Sequence, residues 1–332
     1  MLRLVRFAVL VWAAIVLTLS VLNVMVPQRD GPLALSQVFA PFLFLPLVLF
    51  APLLLVRSIG QATRVVVLVC ALVFVVRFAP GWVAMPQTAS ASAGIGVATW
   101  NLELGLADPD RVVDGLRSAE RGIIGLEELT PQHARAIASD PTLKERFPYR
   151  SFHPQDGSQG LGIMSSYPFL EEPQVEIDPP MLTTRVDLGD GRELRVVVAH
   201  PFRAVLGQGS SLMAYARYDP STRDRQLAEI RASLDTPLAA GESVILVGDF
   251  NVTDREPGYR DVTRDLIDAQ MAVGMGPGPT WRPSELDWLP FGLLRIDMVL
   301  TGGGATPRRI DADCTPRGSD HCLVRARVEL PA

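Results

Sequence analysis

The chain has 332 residues, of which 48% are hydrophobic and 20% are charged, and its formal net charge is −5. This length accommodates one large domain and an additional segment. The charge is uneven: residues 1–93 carry six arginines and one aspartate, whereas residues 94–332 carry 25 basic and 35 acidic side chains. Non-specific nucleic-acid binding needs basic residues that neutralise phosphates, so the acidic composition of the second part argues against that class of protein.

Three apolar runs occupy the first 80 residues and predict three transmembrane helices. Residues 7–26 and 33–56 hold 20 and 24 residues without a charge, which meets the roughly 20 apolar residues needed to span a bilayer. The third run, 65–76, reaches this length if it extends from Arg64 to Pro80 and Arg77 snorkels to the interface. A cleaved signal peptide is the alternative for the first run, but no clear small-residue cleavage site follows it.

The placement of arginines predicts the orientation of these helices, because cytoplasmic loops carry an excess of basic residues. With the N-terminus in the cytoplasm, four arginines lie inside (Arg3, Arg6, Arg57 and Arg64) and two lie outside (Arg29 and Arg77). The sequence therefore predicts a multi-pass protein of the cell membrane, with a membrane domain at residues 1–80 and everything after residue 80 outside the cytoplasm.

A linker is predicted at residues 81–93, where the sequence GWVAMPQTASASA is rich in small residues. The catalytic domain is predicted at residues 94–332, which alternate strand-like and helix-like segments. Strands are predicted at 97–101, 122–126, 161–165, 194–199, 244–247, 296–300 and 323–328, and helices at 109–119, with Asp108 as N-cap, and at 223–233. This mixture predicts an α/β sandwich in which two sheets pack together with helices outside.

Polar residues recur where the predicted strands end. After the apolar run 244–247, Asp249 and Asn251 stand two positions apart, so strand geometry places them on one face. A buried carboxylate without a partner is costly, so such groups are either satisfied by turns or gathered into a site. The pattern recurs in TWNLE, LEEL, AHP, RID and SDH, which contain Asn101, Glu103, Glu127, Glu128, His200, Asp297, Asp320 and His321. Six occurrences favour a single site at converging strand ends.

These residue types suit hydrolysis at phosphorus. A divalent metal offsets the negative charge of a phosphoryl group in transfer, and Mg²⁺ prefers carboxylates and water as ligands. A histidine suits the role of general base near neutral pH, and a carboxylate beside it fixes its tautomer. No Cys/His cluster with zinc spacing occurs in the sequence. The predicted cofactor is therefore Mg²⁺, with Mn²⁺ as a substitute.

The order T-W-N, L-E-E, A-H-P, G-D-F-N, R-I-D and S-D-H resembles the endonuclease/exonuclease/phosphatase superfamily over roughly residues 95–330. This is the fold of DNase I, apurinic endonucleases, inositol polyphosphate 5-phosphatases and bacterial sphingomyelinases. The resemblance implies a four-layer α/β sandwich that hydrolyses a phosphate ester or anhydride. With its membrane tether, the chain is also similar to membrane-bound members of the superfamily that are associated with glycopeptide-antibiotic resistance in actinobacteria.

The resemblance also implies a role for each polar residue at the strand ends. The metal ligands are Glu128, Asn101 and Asp320, and Glu103 falls where some members have a second acid. His321 matches the general base, and Asp297 matches its orienting carboxylate. His200 and Asn251 match the groups that contact the phosphate, and Asp249 matches the acid that orients or deprotonates the nucleophile or protonates the leaving group. Glu127 departs from the commonest pattern, which has Gln before the metal-binding Glu.

Two features outside these motifs carry further predictions. The loop 282–294 contains Trp288 and Phe291, which are predicted to form an apolar substrate rim that meets the membrane or a lipid chain, with ordinary packing as the alternative. Cys314 and Cys322 bracket the S-D-H motif. Two alternatives remain for this pair, a disulfide outside the cytoplasm or two buried free thiols.

The favoured interpretation is a Mg²⁺-dependent phosphohydrolase tethered to the membrane, acting outside the cytoplasm on a lipid-linked phosphate or pyrophosphate. Its predicted partners are the bilayer and a phosphorylated lipid. A tethered nuclease or a sphingomyelinase-like phosphodiesterase would use the same residues, but the acidic balance disfavours nucleic acid. The complete set of polar residues from Asn101 to His321 disfavours a non-catalytic binding module.

Overall fold

The computed structural model describes residues 2–79, 94–207 and 217–331, and the predicted linker at 81–93 lies outside them. The chain divides into two compact units. The first consists of Met1–Val83, Ala204–Ser221 and Arg255–Pro257, and the second consists of Ala84–Arg203, Thr222–Asp254 and Gly258–Ala332. Two short segments from within the predicted catalytic domain therefore group with the N-terminal helices.

The first unit contains two helices that are long and apolar enough to cross a membrane, α1 and α4. Its helices are α1 (Leu2–Met25), α2 (Gly31–Val38), α3 (Pro46–Phe50) and α4 (Gln61–Phe78), with 3₁₀ turns at Ala40–Phe44, Ala51–Leu55 and Arg57–Ile59. Side chains from α1, α4 and the first of these turns pack together in one apolar cluster that includes Val16, Phe44 and Cys70.

The second predicted span is broken in the structure. The helical segments Gly31–Val38 and Ala40–Leu55 meet at an angle of 78°. Pro41 lies just after the break and accounts for it, since proline lacks the amide N–H and its ring clashes with the preceding turn of a helix. The described residues thus contain two continuous candidate spans, or three if the bent pair is one span, and the predicted count of three is not confirmed.

The second unit is built on two six-stranded sheets. The first has the strand order β11-β12-β1-β2-β4-β3, with β1 (Ile95–Asn101), β2 (Gly122–Glu127), β3 (Tyr149–His153), β4 (Leu161–Ser165), β11 (Thr306–Asp313) and β12 (Leu323–Glu329). The second has the order β5-β6-β7-β8-β10-β9, with β5 (Gln174–Ile177), β6 (Pro180–Asp187), β7 (Glu193–Ala199), β8 (Val244–Asp249), β9 (Ile267–Asp268) and β10 (Asp297–Gly302).

The two sheets pack face to face through a buried aliphatic layer. Val97 and Ile123 of the first sheet join Val198 and Val247 of the second in one cluster. Gly125 in β2 allows this approach, because a Cβ there would lie 2.9 Å from a Val247 methyl group. The apolar side chains that alternate along the strands therefore form the interior between the two sheets of the sandwich.

Helices cover the outer face of each sheet and complete a four-layer α/β sandwich. The helices are α5 (Pro109–Ser118), α6 (Pro131–Ser139), α7 (Pro141–Arg146), α8 (Ser221–Ser233), α9 (Asp235–Ala239), α10 (Pro257–Val262) and α11 (Ala269–Val273). Leu116 of α5 packs in a cluster with Trp100 of the first sheet, and Leu227 of α8 packs in another with Leu246 of the second. The predicted N-cap is confirmed, since the Asp108 side chain accepts hydrogen bonds from the first turn of α5.

Strand pairing explains why the polar residues meet. β1 is parallel to β2 and β7 is parallel to β8, so the carboxyl ends of neighbouring strands share an edge. β10 runs antiparallel to β8 and sets Asp297 directly opposite Asp249. Near the start of β12, Cys314 and Cys322 form a disulfide with a Cα–Cα distance of 4.3 Å, which resolves the alternative that the sequence left open.

Candidate active site

Asp249 lies at the centre of the site and is 2% exposed. Its Oδ2 accepts a hydrogen bond of 3.0 Å from Asn101 Nδ2, and its Oδ1 accepts one of 2.8 Å from the backbone N–H of Asn251. Two histidine nitrogens face the same carboxylate, His200 Nε2 at 3.5 Å and His321 Nε2 at 3.7 Å. Burial raises the pKa of Asp249, but the charges of His321 and His200 outweigh it and lower this pKa below its ordinary value. Asp249 is therefore ionised between two histidines.

His321 and Asp297 form a buried pair. His321 Nδ1 lies 2.9 Å from one Asp297 oxygen and 3.0 Å from the other. Burial lowers the pKa of His321, but the charges of Asp297, Asp249 and Asp320 outweigh it and hold this pKa well above the ordinary 6.5. Because Nδ1 is occupied by Asp297, Nε2 is the nitrogen that points toward Asp249 and Asp320. This is the geometry of a histidine whose tautomer is fixed by a carboxylate.

His200 is oriented by a carbonyl group. Its Nδ1 lies 2.8 Å from the Ser158 carbonyl oxygen, which can only accept, so Nδ1 is the donor. Its Nε2 faces Asp249 at 3.5 Å and Glu128 Oε1 at 3.6 Å. Burial lowers the pKa of His200, but the Asp249 hydrogen bond and charge raise it to about 9. His200 is therefore a cation at neutral pH, which suits contact with a phosphate oxygen.

Three of the predicted site residues have a left-handed backbone although they are not glycine. The φ angles are 50° at Glu103, 53° at Glu128 and 52° at Asn251. Such conformations are uncommon for these residues and cluster at functional sites, where the surrounding structure holds them. Glu128 is the first residue after β2, and Glu103 and Asn251 are the second residues after β1 and β8.

The neighbours Glu127 and Glu128 occupy different environments. Glu127 is 0% exposed, and its Oε1 accepts a hydrogen bond of 2.7 Å from Thr99 Oγ1. Burial raises the pKa of Glu127 to about 8, so this carboxyl is largely protonated at neutral pH. The Glu128 side chain is 15% exposed, and the described residues supply no hydrogen bond to its carboxylate. Apart from His200 Nε2 at 3.6 Å, no described residue engages the Glu128 carboxylate, so its oxygens are the more accessible of the two acids to a cation.

Asp320 has one satisfied and one orphaned oxygen. Its Oδ2 accepts a hydrogen bond of 2.8 Å from Trp281 Nε1. Its Oδ1 is buried and has no hydrogen-bond partner among the described residues, and it lies 3.7 Å from His321 Nε2. Burial raises the pKa of Asp320 to about 6. A buried carboxylate oxygen without a donor is a position where a cation would be stabilising.

The other two predicted ligand side chains, those of Asn101 and Glu103, already form hydrogen bonds with other residues of the protein. Both ends of the Asn101 amide are used, since Oδ1 accepts from the backbone N–H of Glu103 at 2.9 Å while Nδ2 donates to Asp249. Glu103 accepts from the backbone N–H of Asp320 at 2.8 Å and from the Ser284 hydroxyl. Glu103 therefore positions Asp320, and Asn101 retains only a second lone pair on its carbonyl oxygen for a metal.

The donor set fits a hard divalent cation. Glu128 and Asp320 offer oxygen atoms without a protein donor, with the Asn101 carbonyl oxygen as a third ligand, and such oxygen ligands suit Mg²⁺ or Mn²⁺. A second group, Asp249, Asp297 and His321, also has one ligand atom from each residue within 4.8 Å of the others. In that group His321 Nδ1 is already bonded to Asp297, which favours its use as an acid–base pair.

Residues that the sequence did not single out stabilise the geometry of this site through hydrogen bonds. Thr280 Oγ1 accepts from the backbone N–H groups of Ile296 and Asp297 at 3.2 and 3.1 Å. Ser319 donates to the Asn101 carbonyl oxygen and accepts from the backbone N–H of His321. Thr280, Trp281 and Ser319 lie in irregular segments, where periodicity carries no signal. The SDH motif itself was the available signal for Ser319.

The two residues predicted to form an apolar substrate rim have exposed side chains. Trp288 is 64% exposed and Phe291 is 50% exposed. Leu104 and Leu106, in the turn after β1, are also exposed, at 51% and 71%. A hydrogen bond between Ser284 and Glu103 joins the two loops.

Comparison with protein families supports the pattern of motifs. A model described as the Endonuclease/Exonuclease/phosphatase family matches residues 98–321, which include every polar residue of the site. The chain belongs to this family. Its members are phosphoester hydrolases, and use of a divalent metal is general among them. Comparison with curated proteins finds no match for this family member.

Solved structures of the family share the fold. One is D. rerio TDP2 humanized by 14 mutations, with 19% identity, a TM-score of 0.52, and coverage of 72% of this chain and 100% of that chain. Another is the mannosyl-6-phosphatase Bt3783 of Bacteroides thetaiotaomicron VPI-5482, with 14% identity, a TM-score of 0.51, and coverage of 70% and 99%. A third is an endonuclease/exonuclease/phosphatase family protein from Bacteroides thetaiotaomicron, with 14% identity, a TM-score of 0.51, and coverage of 72% and 99%.

Proposed function

We propose that this family member is a Mg²⁺-dependent phosphohydrolase anchored in the cell membrane. It hydrolyses a phosphate ester or pyrophosphate bond of a lipid-linked substrate on the extracytoplasmic side. The observation that carries the proposal is the combination, in one chain, of the His321–Asp297 pair facing Asp249 with apolar helices long enough to span a bilayer.

The proposed hydrolysis follows from the protonation states and charges of the residues in the site. In neutral His321, Nδ1–H donates to Asp297, which leaves Nε2 to take a proton from an attacking water. One N–H of the Asn251 side-chain amide donates to the Pro201 carbonyl oxygen at 3.0 Å, and its other N–H and the cationic His200 are the donors proposed for the phosphate oxygens. A divalent cation held by Glu128, Asp320 and the Asn101 carbonyl oxygen would offset phosphate charge when bound. Asp249 then orients the water between the two histidines.

The helix packing of the first unit supports a domain outside the cytoplasm. At one end, Arg6 of α1 donates to the Ser58 carbonyl oxygen just before α4. At the other end, Met25 of α1 and Arg77 of α4 line the same groove. The two helices therefore run in the same direction, so the chain between them must return across the membrane if both helices span it. Together with the arginine distribution, this direction supports the proposal that the end of α4 lies outside the cytoplasm.

The acidic catalytic domain favours a lipid over nucleic acid. Residues 94–332 carry an excess of ten acidic side chains, whereas binding of a nucleic-acid backbone gains from many basic contacts. A single phosphate needs only the local positive charge of His200 and the bound metal. TDP2 has been solved with a single-strand DNA product, so a tethered nuclease is the alternative that the test must separate.

Substrate preference tests the proposal. The purified full-length protein in detergent micelles with Mg²⁺ is expected to release phosphate from undecaprenyl diphosphate faster than it cuts plasmid DNA. Asp249→Asn is expected to abolish both activities and turnover of bis-p-nitrophenyl phosphate, which ties them to one site. If DNA is by far the better substrate, the lipid proposal fails and the nuclease replaces it. If no substrate is turned over with Mg²⁺ or Mn²⁺, hydrolysis itself is refuted.

A further inference from the structure

Two polar side chains of α8, Arg223 and Gln226, are buried on the face that packs against the second sheet. Arg223 is 2% exposed and Gln226 is 0% exposed. Both share this face with the core residues Leu227 and Ile230, since positions three and four apart lie on one side of a helix. Arginine is rarely buried unless it is paired, and burying an unpaired polar group is costly. The α8 pair, Arg223 and Gln226, therefore needs specific partners in the interior.

Arg223 holds the backbone of Asn251. Its Nε and Nη2 donate to Asp224 Oδ1 at 3.1 and 2.9 Å, which fixes the orientation of the guanidinium group. Its Nη1 then donates to the Asn251 carbonyl oxygen at 2.9 Å. Asn251 has a left-handed backbone with a φ of 52°, a conformation that persists only where the surrounding structure holds it. The hydrogen bond from Arg223 is one of the contacts that hold this turn.

Gln226 holds the segment that follows His200. Its Oε1 accepts a hydrogen bond of 2.8 Å from the backbone N–H of Phe202, and its Nε2 donates to a carboxylate just before β6. Asn251 Nδ2 links the two segments, since it donates to the Pro201 carbonyl oxygen at 3.0 Å and lies 3.3 Å from His200 Nε2. One face of α8 thus contacts both the segment that carries Asn251 and the segment that carries His200.

We propose that the α8 pair positions His200 and Asn251 relative to each other. The inference rests on the proposed function, which assigns these two groups to the phosphate oxygens. Donors that stabilise a transition state act best when they are held in place before the reaction, and a misplacement of about 1 Å can lower the rate by about 10²-fold. The pair acts through the Asn251 carbonyl oxygen and the Phe202 N–H, so both members are positioning residues.

Steady-state kinetics of the full-length protein on bis-p-nitrophenyl phosphate test the α8 pair. Arg223→Gln removes the donor to Asn251, and Gln226→Met keeps the side-chain length but removes the acceptor for Phe202. Each is expected to lower kcat about tenfold or more and to change KM less than about twofold, the pattern of a contribution made in the transition state. Unaltered kcat in both folded variants would overturn the positioning role.

Arg231→Gln is the matched control for Arg223→Gln. Arg231 also lies on α8, is 3% exposed, and donates to Asp235 and Asp265, so the control removes a buried guanidinium group away from Asn251. It is expected to lower the thermal unfolding temperature, as Arg223→Gln does, but to leave kcat unchanged where the protein is folded. Equal losses of kcat in the two variants would assign Arg223 to stability alone.

A double-mutant cycle tests whether Arg223 acts through Asn251. Asn251→Gly removes the side-chain amide, and glycine adopts the φ of 52° without a steric penalty. In the Asn251→Gly protein, Arg223→Gln is expected to lower kcat less than about twofold, because the effects of coupled residues are not additive. A further loss as large as that in the parent protein would overturn this route.

A histidine resonance distinguishes failure of this inference from failure of the proposed function. In full-length protein with isotope-labelled histidine, the His200 ring resonance is assigned with His200→Gln. It is expected to shift in Arg223→Gln and Gln226→Met and to stay unchanged in Arg231→Gln. If these shifts appear but the parent protein hydrolyses no phosphate ester, the proposed function fails and the positioning role stands. If the parent protein is active but neither variant changes kcat or the resonance, the positioning role alone fails.

Discussion

Replacement of His321 with alanine is expected to lower kcat by about 10²-fold or more, the usual contribution of a general base. The ring is 7% exposed, its Nδ1 is held by Asp297, and its Nε2 faces the Asp249 carboxylate. Asp297→Asn is expected to lower kcat nearly as much, because the amide removes the charge that fixes the tautomer and stabilises the protonated ring. Steady-state kinetics on bis-p-nitrophenyl phosphate measure both effects, and near-normal turnover by a folded His321→Ala protein would refute the assignment.

The pH dependence of kcat/KM distinguishes a general-base role of His321 from a general-acid role. The pKa of His321 is raised well above 6.5, chiefly by Asp297 against the effect of burial. A residue that must lose its proton to act becomes active as the pH rises through its pKa. The general-base role therefore predicts that kcat/KM increases from neutral toward alkaline pH, and that this limb disappears in His321→Ala. A rate that falls over this interval would assign His321 the role of an acid.

Removal of divalent metal is expected to abolish activity, and added Mg²⁺ or Mn²⁺ is expected to restore it. Glu128→Gln should raise the Mg²⁺ concentration needed for half-maximal activity by about tenfold or more, since it removes the charge of a carboxylate that no described residue engages by hydrogen bonding. Phosphate release with EDTA followed by a Mg²⁺ titration measures both. Full activity in excess EDTA would contradict metal dependence.

Glu127→Gln is the matched control for Glu128→Gln. The Glu127 carboxyl is fully buried against Thr99 and largely protonated at neutral pH, with a pKa of about 8. An amide of the same size therefore keeps the shape and the neutral charge of this position. The variant is expected to retain its Mg²⁺ requirement. A larger loss from Glu127→Gln than from Glu128→Gln would exchange the roles of the two residues.

The sequence predicted the strands that carry the site because these strands are the buried ones. β1, β2, β4, β7, β8, β10 and β12 were all predicted within a few residues. The missed strands include β3 and β5 at sheet edges and β9 with two residues, where exposure or brevity removes the apolar signal. β6 was missed although buried residues alternate along part of it, because its polar residues interrupt the apolar run.

The site residues could be predicted by type and position, but their contacts could not. β8 ends at Asp249, and Asn251 joins the site through a left-handed turn in which its backbone N–H donates to Asp249, rather than through strand alternation. The pairing of Asp297 with His321 depends on a loop in which Trp281 pairs with both Leu294 and His321. His133 lies outside the six motifs, and its burial had no signal in the sequence. It is 1% exposed in α6, where its Nε2 lies 2.8 Å from the Ala107 carbonyl oxygen, a structural contact.

Hydropathy predicted the membrane segment but not its break. Apolar length alone made residues 33–56 a span, although Pro41 within them interrupts the helix. The grouping of residues 204–221 with these helices had no signal in composition. Gly31 donates a backbone hydrogen bond of 2.7 Å to the Tyr218 carbonyl oxygen, a long-range pairing that local patterns do not encode.

Phosphate release by spheroplasts that carry the full-length chain tests the central claim most directly. The cells are supplied with undecaprenyl diphosphate in mixed micelles and Mg²⁺, and with plasmid DNA in a parallel sample. The account predicts that phosphate appears in the medium, that external EDTA stops its release, and that cells carrying His321→Ala release none. DNA cleavage that outpaces phosphate release, or phosphatase activity that appears only after the cells are broken, would contradict it.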